Sequence, residues 1–241
     1  MKTTTLRVWD RINKFIKKNN LLIKQDRILL GVSGGPDSML MLDYFSKSSF
    51  KKNLFVFHLN HGIRKEAVKD EEIVKRFCDD NNIPCVIDKV SIPLILKDSK
   101  ENLEHTARKI RYKLFFKYAK KFGCRVVATA HNMDENVETV IMNVMRNPEI
   151  KNLSGIPVKR KLSGEVYVIR PLLCIRKKEI ISYLKEKGIK YAVDKTNYDV
   201  KYTRNWIRHI MIPTVEKRFP NFTENISEIS NQINKKIYKK G

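Results

Sequence analysis

Acidic residues are scarce in this chain of 241 residues: 26 Asp and Glu stand against 49 Lys and Arg, for a formal net charge of +23. A surface so one-sided points to a polyanionic partner, RNA ahead of DNA or a membrane face. An AT-rich genome is the competing cause, because most of the excess is lysine and asparagine is abundant too. Cysteine is also sparse. Cys78, Cys85, Cys124 and Cys174 form no C-x-x-C pair, so no zinc or iron–sulfur framework is expected. They suit small buried hydrophobes in a reducing compartment. His58 and His61 lie close together, but no second ligand pair follows them, and no metal centre is expected there. Long apolar runs are missing: none approaches the roughly 20 residues that span a bilayer. The N-terminus lacks a signal-peptide pattern; Leu6, Trp9, Ile12, Phe15 and Ile16 recur there at helical spacing. The expected location is the cytoplasm, or the stroma or matrix of an organelle with a reduced bacterial-type genome.

What is present is an alternation. Apolar runs at Ile28–Val32, Leu54–Leu59, Pro84–Val90 and Arg125–Ala130 read as strands. Helical patterns separate them at Asp37–Lys47, Glu66–Asn82 and Glu101–Phe122, and another covers Met133–Arg146. In Glu101–Phe122, Leu103, Ala107, Ile110, Leu114, Phe115 and Tyr118 mark one face. Strands apolar throughout, alternating with helices, predict an α/β fold: a Rossmann-like parallel sheet with helices on both faces. From Asn147 to about Ser163 the pattern reads as loop. A strand, Val166–Ile169, follows, then a helix, Lys177–Lys187, closed by Gly188. A small C-terminal helical extension begins near Arg204. The stretch Asn231–Gly241, basic and poor in apolar residues, reads as a mobile tail.

Between the first strand and the first helix stands Ser33-Gly34-Gly35-Pro36-Asp37-Ser38. Two glycines let backbone N–H groups approach an anion closely, and the helix start adds free N–H groups and a positive dipole end. Ser33 and Ser38 add hydroxyl donors. The result is a phosphate cradle without the lysine of the common P-loop. Ligands in parallel sheets bind beyond the carboxyl ends of the strands. Ser33–Ser38, Asn60–Arg64 and His131–Asp134 each follow a strand, so they are expected to converge on one crevice.

The hexapeptide resembles the pyrophosphate loop of the N-type ATP pyrophosphatases, which cleave ATP between its α and β phosphates. Further segments carry a resemblance to the tRNA(Ile)-lysidine synthetases. They are His58-Leu59-Asn60-His61-Gly62-Ile63-Arg64, Glu101-Asn102-Leu103-Glu104 with Arg108-Lys109-Ile110-Arg111-Tyr112, and Ala128-Thr129-Ala130-His131 with Asp134, Glu138 and Thr139. Arg170-Pro171-Leu172-Leu173 and Asp194-x-Thr196-Asn197 with Thr203-Arg204-Asn205 and Arg208 complete the order. The resemblance implies ATP-dependent adenylation of the C2 oxygen of the wobble cytidine in a CAU-anticodon tRNA(Ile), then attack by the ε-amine of free L-lysine. The product is lysidine, with AMP and pyrophosphate released. It implies ATP and Mg²⁺ as cofactors and admits a homodimer. It divides the chain into an ATP pyrophosphatase core, 1–160, and a remainder, 161–241, of the catalytic domain with its helical extension and basic tail. The family's C-terminal tRNA-binding domains are expected to be absent.

Residue by residue, the resemblance assigns ATP to Ser33, Gly34, Gly35, Pro36, Asp37 and Ser38. Asp37 is the candidate Mg²⁺ ligand, or a helix cap. Asp134 is the candidate carboxylate that binds the lysine ammonium and accepts its proton, or another cap. Arg111 and His131 are placed in the same site, against the alternatives of a solvated arginine and a structural histidine. Asn60, His61 and Arg64 are placed beside nucleotide and RNA, with His61 equally readable as a turn residue. Arg204 and Arg208, at i and i+4, are suited to phosphates, with Thr203 as their N-cap. Arg170 is expected to tie the two parts together. The chain departs from the family in two places. Asp134-Glu135-Asn136 stands for Asp-Asp-Gln, and Asn147, Glu149 and Asn152 stand at glycine positions, leaving Gly155. Glu149 tolerates positive φ poorly, which puts that loop's path in question. A tRNA thiolase using the same ATP loop, and a tRNA-binding protein without catalysis, are the competing readings.

Overall fold

The computed structural model describes residues 3–60, 62, 67–91, 103–147, 149–193 and 199–238. His61, Arg64, Glu101, Asn102, Asp194, Thr196 and Asn197 therefore lie outside the described residues. Strands β1 (Ile28–Gly31), β2 (Leu54–Asn60), β3 (Cys85–Lys89), β4 (Val126–Ala128), β5 (Lys159–Ser163) and β6 (Val166–Ile169) form one sheet in the order β3-β2-β1-β4-β6-β5. All neighbours are parallel except β5, which runs antiparallel along β6 at the edge.

Successive residues of β1 serve opposite faces, which is why the strand is apolar throughout. Ile28 and Leu30 join one core with α1 (Thr4–Lys18), α2 (Pro36–Ser46), α3 (Ala67–Asp80) and α6 (Lys177–Lys187). Leu29, Phe57, Val127 and Val168 join another under α4 (Leu103–Lys121). A third, smaller core sets Val137 and Ile141 of α5 (Met133–Arg146) against Ile207 and Ile212. It holds the C-terminal extension: α7 (Thr203–Trp206), a π-helical turn Ile207–Met211, α8 (Ile212–Arg218) and α9 (Phe222–Tyr238). The division expected at residue 160 falls inside β5.

The expected strands and helices form within two residues of their expected ends, with three differences. The stretch read as loop after Arg146 contains a 3₁₀ turn, Ile150–Ser154, and strand β5. Lys159-Arg160-Lys161 has no apolar alternation because an edge strand buries little. The stretch read as a mobile tail continues α9 as far as Tyr238. Its buried face is polar, made of Thr223, Ser227, Ser230 and Asn234, so hydrophobic periodicity does not reveal it. In α1, Leu6 is exposed and Thr5 takes the inward position, bonded to Glu186.

Candidate active site

The order reversal of the sheet lies between β1 and β4, and the loops after these two strands flank the crevice there. Ser33–Ser38 leaves β1 and His131–Asp134 leaves β4, so the expected convergence of these two segments is met. The first loop is tightly self-bonded. Ser38 Oγ donates to the Gly35 carbonyl at 2.9 Å and accepts from Ser33 N–H at 3.2 Å. Gly34 has φ +87°, and a Cβ there would stand 3.1 Å from the Asp70 carbonyl of α3. Gly35 caps α2 without a side chain, and Pro36 takes a first-turn place where its missing N–H costs nothing.

Asp37 is held from two sides. Asn132 Nδ2 donates to one oxygen at 2.8 Å, and Lys177 Nζ meets the other at 2.6 Å. Asp37 thus caps nothing; it faces the β4 loop and already carries a cation. Asn132, not Asp134, caps α5, in a reciprocal box with Glu135. Asp134 instead accepts from the Lys177 backbone N–H at 2.6 Å and from Arg176 Nε at 3.1 Å. Both of its oxygens are committed, which disfavours it as the proton acceptor and makes it an anchor for the start of α6.

The neighbouring carboxylate fits the acid–base task better. Burial, and then the charge of Asp37, push the Glu135 carboxyl up to about 7. A carboxylate poised there can take a proton from an ammonium near neutral pH. Sequence reasoning passed over Glu135 as a mere substitution for aspartate; its position next to Asp134 was the available signal. Lys177 was missed because a single lysine at a helix start carries no motif.

His131 sits in a field of like sign. Burial, then Arg170, Arg108, Arg111 and Arg204, push its imidazole down to about 3, so it is neutral at physiological pH. Its Nδ1 lies 3.1 Å from Thr129 Oγ1. A neutral ring among arginines is a hydrogen-bonding group inside an anion site. Arg111, half-buried, belongs to that field.

Arg204 and Arg208 do come together, but on Glu138. Arg204 Nε lies 2.9 Å from one of its oxygens, and Arg208 Nε 2.6 Å from the other. Glu138 is almost fully buried, so these pairs satisfy a charge that α5 carries inward. Nη2 of Arg204 also donates to the Glu135 carbonyl and Thr139 Oγ1, and Nη2 of Arg208 to Glu138, so little of either guanidinium is left for phosphate. Thr203 begins α7 without capping it, the cap position being Tyr202. Asn60 is buried and spends its amide on the turn, accepting from Gly62 N–H at 3.0 Å and reaching Glu71 at 3.4 Å. Arg170 is the tie that was expected: it is fully buried and binds the Pro157 carbonyl and Tyr112. Nearby, Arg176 gathers Asp134, Glu216 and Glu224 around one guanidinium.

The donor set suits Mg²⁺, a hard cation that takes one or two carboxylates plus phosphate oxygens. Asp37 already holds an ammonium, and its charge adds to burial in raising Glu135, so the two carboxyls lie in one field. A cavity of about 820 Å³ lies elsewhere, lined by Lys14, Phe15, Leu21 and Lys235 among others, and shares none of Ser33–Ser38.

Comparison with known proteins gives the chain a family and a fold. The family model described as the PP-loop domain matches residues 4–215. A tRNA(Ile)-lysidine synthase of Caldanaerobacter subterraneus is 38% identical over 92% of this chain and 47% of its own length. One from Petrotoga mobilis is 36% identical over 92% of this chain and 71% of its own. Among solved structures, the U34-tRNA thiolase NcsA from Methanococcus maripaludis superposes with a TM-score of 0.80, covering 96% of this chain and 79% of that one at 20% identity. That likeness shows the fold alone. The chain spans about half the length of the first curated relatives it matches. At these identities and coverages the chain belongs to the tRNA(Ile)-lysidine synthase family of PP-loop proteins.

Proposed function

We propose that this protein uses ATP to adenylate the C2 oxygen of the wobble cytidine in a CAU-anticodon tRNA(Ile), releasing pyrophosphate. The lysine ε-amine then forms a bond to C2 and AMP leaves with the oxygen. The observation that carries this reading is the Asp37–Asn132 hydrogen bond, which joins the Ser33–Ser38 loop to the start of α5, where burial and the charge of Asp37 push the Glu135 carboxyl up to about 7. Adenylation needs a leaving pyrophosphate held by N–H donors, and the loop between β1 and α2 offers them. Lysine arrives as an ammonium and must attack as an amine, so a carboxylate has to bind the cation and then take its proton. On this reading Glu135 performs both tasks, while Asp134 holds the start of α6. Neutral His131 and Arg111 supply a donor and a positive charge to the nucleotide or the cytidine oxygen. Mg²⁺, on Asp37 and the phosphates, would supply charge neutralisation of the leaving group. On this reading the protein shares a bacterial-type cytoplasm, or an organelle's stroma or matrix, with its tRNA.

The thiolase reading is weaker because the cysteines are poorly placed. Cys85 opens β3 and Cys124 precedes β4, both at the end of the sheet opposite the loop. Cys174 lines the cavity away from the loop, and burial pushes its thiol up to about 12, leaving almost no nucleophilic thiolate.

The test incubates the protein with a CAU-anticodon tRNA(Ile) transcript, Mg²⁺, ATP and labelled lysine, then weighs the nucleosides. A cytidine that gains lysine less one water is the expected result. Sulfide-dependent thiolation would select the thiolase, and RNA binding without product would select a non-catalytic role.

A further inference from the structure

The arginine field around His131 extends outward to the edge strand, where Arg160, a residue outside every motif segment, meets Arg108 and Tyr112, to which no role has been given. Tyr112 of α4 carries two guanidinium groups over its ring. Arg108, one turn earlier, lies 5.0 Å from the ring centroid, and Arg160 of the edge strand β5 lies at 4.9 Å. Beneath them Arg170 directs Nη2 toward Tyr112 Oη at 3.4 Å. Arg170 is 1% exposed, and its Nε is buried without a hydrogen-bond partner. Its two bonded partners, a carbonyl and a phenol, are both neutral. Burial works to raise the Tyr112 hydroxyl, yet Arg170, Arg108 and Arg160 together pull it below its ordinary value. Two positive charges thus flank the Tyr112 ring and a third meets its hydroxyl, an arrangement whose mutual repulsion an external anion would relieve.

The register shows where this site lies. Arg160 pairs with Val168, Val168 with Val127, and Val127 with Leu29. Paired residues share a face, so Arg160 stands on the α4 face, three strand spacings or roughly 14 Å from β1. The cluster is therefore distinct from the phosphate cradle, but continuous with His131 through Arg170 and Arg108. Exposed guanidinium groups lying on an aromatic ring present a flat cationic surface. That surface suits a phosphodiester and the base beside it, as in single-stranded RNA loops.

We infer that Arg108, Tyr112 and Arg160 form a subsite for the RNA strand flanking the modified nucleotide, seated on the buried charge of Arg170. This inference rests on the proposed function, because the RNA is the substrate of that reaction.

The test titrates a fluorescently labelled CAU anticodon stem–loop against the full chain at several salt concentrations. Arg160→Glu is expected to weaken binding about tenfold and to lower the slope of log affinity against log salt by about 0.7, one phosphate contact on a single strand. Arg160→Lys is expected to keep the slope while losing part of the affinity, because an ammonium retains the charge but not the planar stacking. Lys75→Glu, on exposed α3, reports the effect of net charge alone. An Arg160→Glu protein that melts like the parent yet binds like Lys75→Glu would overturn the subsite and leave the reaction untouched. Absence of RNA binding by the unaltered chain would instead bring down the functional reading, and the subsite with it.

Discussion

Glu135 is where residue-scale physics makes the sharpest demand. Its folded value, raised from 4.5 to about 7, means that the fold favours the protonated form. The stabilisation this gives is full below about pH 4.5 and is lost as pH rises through 7. Glu135→Gln keeps an acceptor for the Asn132 N–H and removes the charge. At pH 8 it is expected to be more stable than the parent by on the order of 3 kcal/mol, a gap that closes near pH 4.5. Denaturant melts at the two pH values measure this. The same substitution should abolish lysine transfer, and transfer by the parent should rise with pH through about 7; a flat profile would argue against proton acceptance by Glu135. Lys177 offers the opposite pattern. Its pair with Asp37 is half-exposed, so Lys177→Met should cost under about 1 kcal/mol of stability. Pyrophosphate release should nonetheless fall about tenfold or more, because the one cation on Asp37 seen among the described residues is gone. Equal turnover by the two proteins would assign Lys177 a structural role only.

At the scale of the element, the loop after α5 shows what glycine counting can and cannot reveal. Asparagine and glutamate at glycine positions looked threatening, yet Glu149 takes an ordinary extended conformation at φ −77° and Asn147 sits at −155°. Asparagine amides hold the loop instead: Asn143 donates to the Asn152 carbonyl at 2.8 Å, and Asn152 to the Asn147 carbonyl at 3.1 Å. Positive φ is needed at Gly155, where φ is +61° and a Cβ would stand 2.3 Å from Asn136 Oδ1. Asn136 also binds Ile156 N–H at 2.7 Å and Ser230 of α9 at 3.1 Å. Gly155→Ala is therefore expected to destabilise the protein by about 2–4 kcal/mol, through strain and loss of this junction. Asn152→Gly should cost less, since the Asn152 carbonyl still accepts from Asn143. Thermal melts of both variants decide the order. The parallel strands were legible because burial on both faces writes a continuous apolar run. Strand β5 and the end of α9 were not, because one is a basic edge and the other buries hydroxyls and amides.

For the whole molecule, the crevice between β1 and β4 followed from strand–helix alternation and the glycine loop, both local patterns. Its connection to the C-terminal helices did not, because that runs through Arg176, an unremarked residue between two elements. One guanidinium meets Asp134 of α5, Glu216 of α8 and Glu224 of α9 at 3.1, 2.9 and 2.8 Å. Carboxylates from three separate helices share a buried cation that no spacing rule announces. Although burial opposes it, the Arg176 charge holds the Glu224 carboxyl below its ordinary 4.5. A depressed carboxylate contributes stability above that value and loses it in acid. Arg176→Met removes the cation and leaves three carboxylates facing one another. It should cost about 3–5 kcal/mol near pH 7, the usual penalty for breaking a buried ion pair from one side. The deficit should shrink below pH 4.5 as the acids protonate. Arg176→Lys, with one ammonium for three separated acceptors, should recover only part of it. If the C-terminal helices serve only as a prop, lysine transfer at a temperature where both variants are folded should match the parent. If Arg176 positions Asp134 and the start of α6, transfer should fall even in the folded Lys variant, and lysine KM should rise with it.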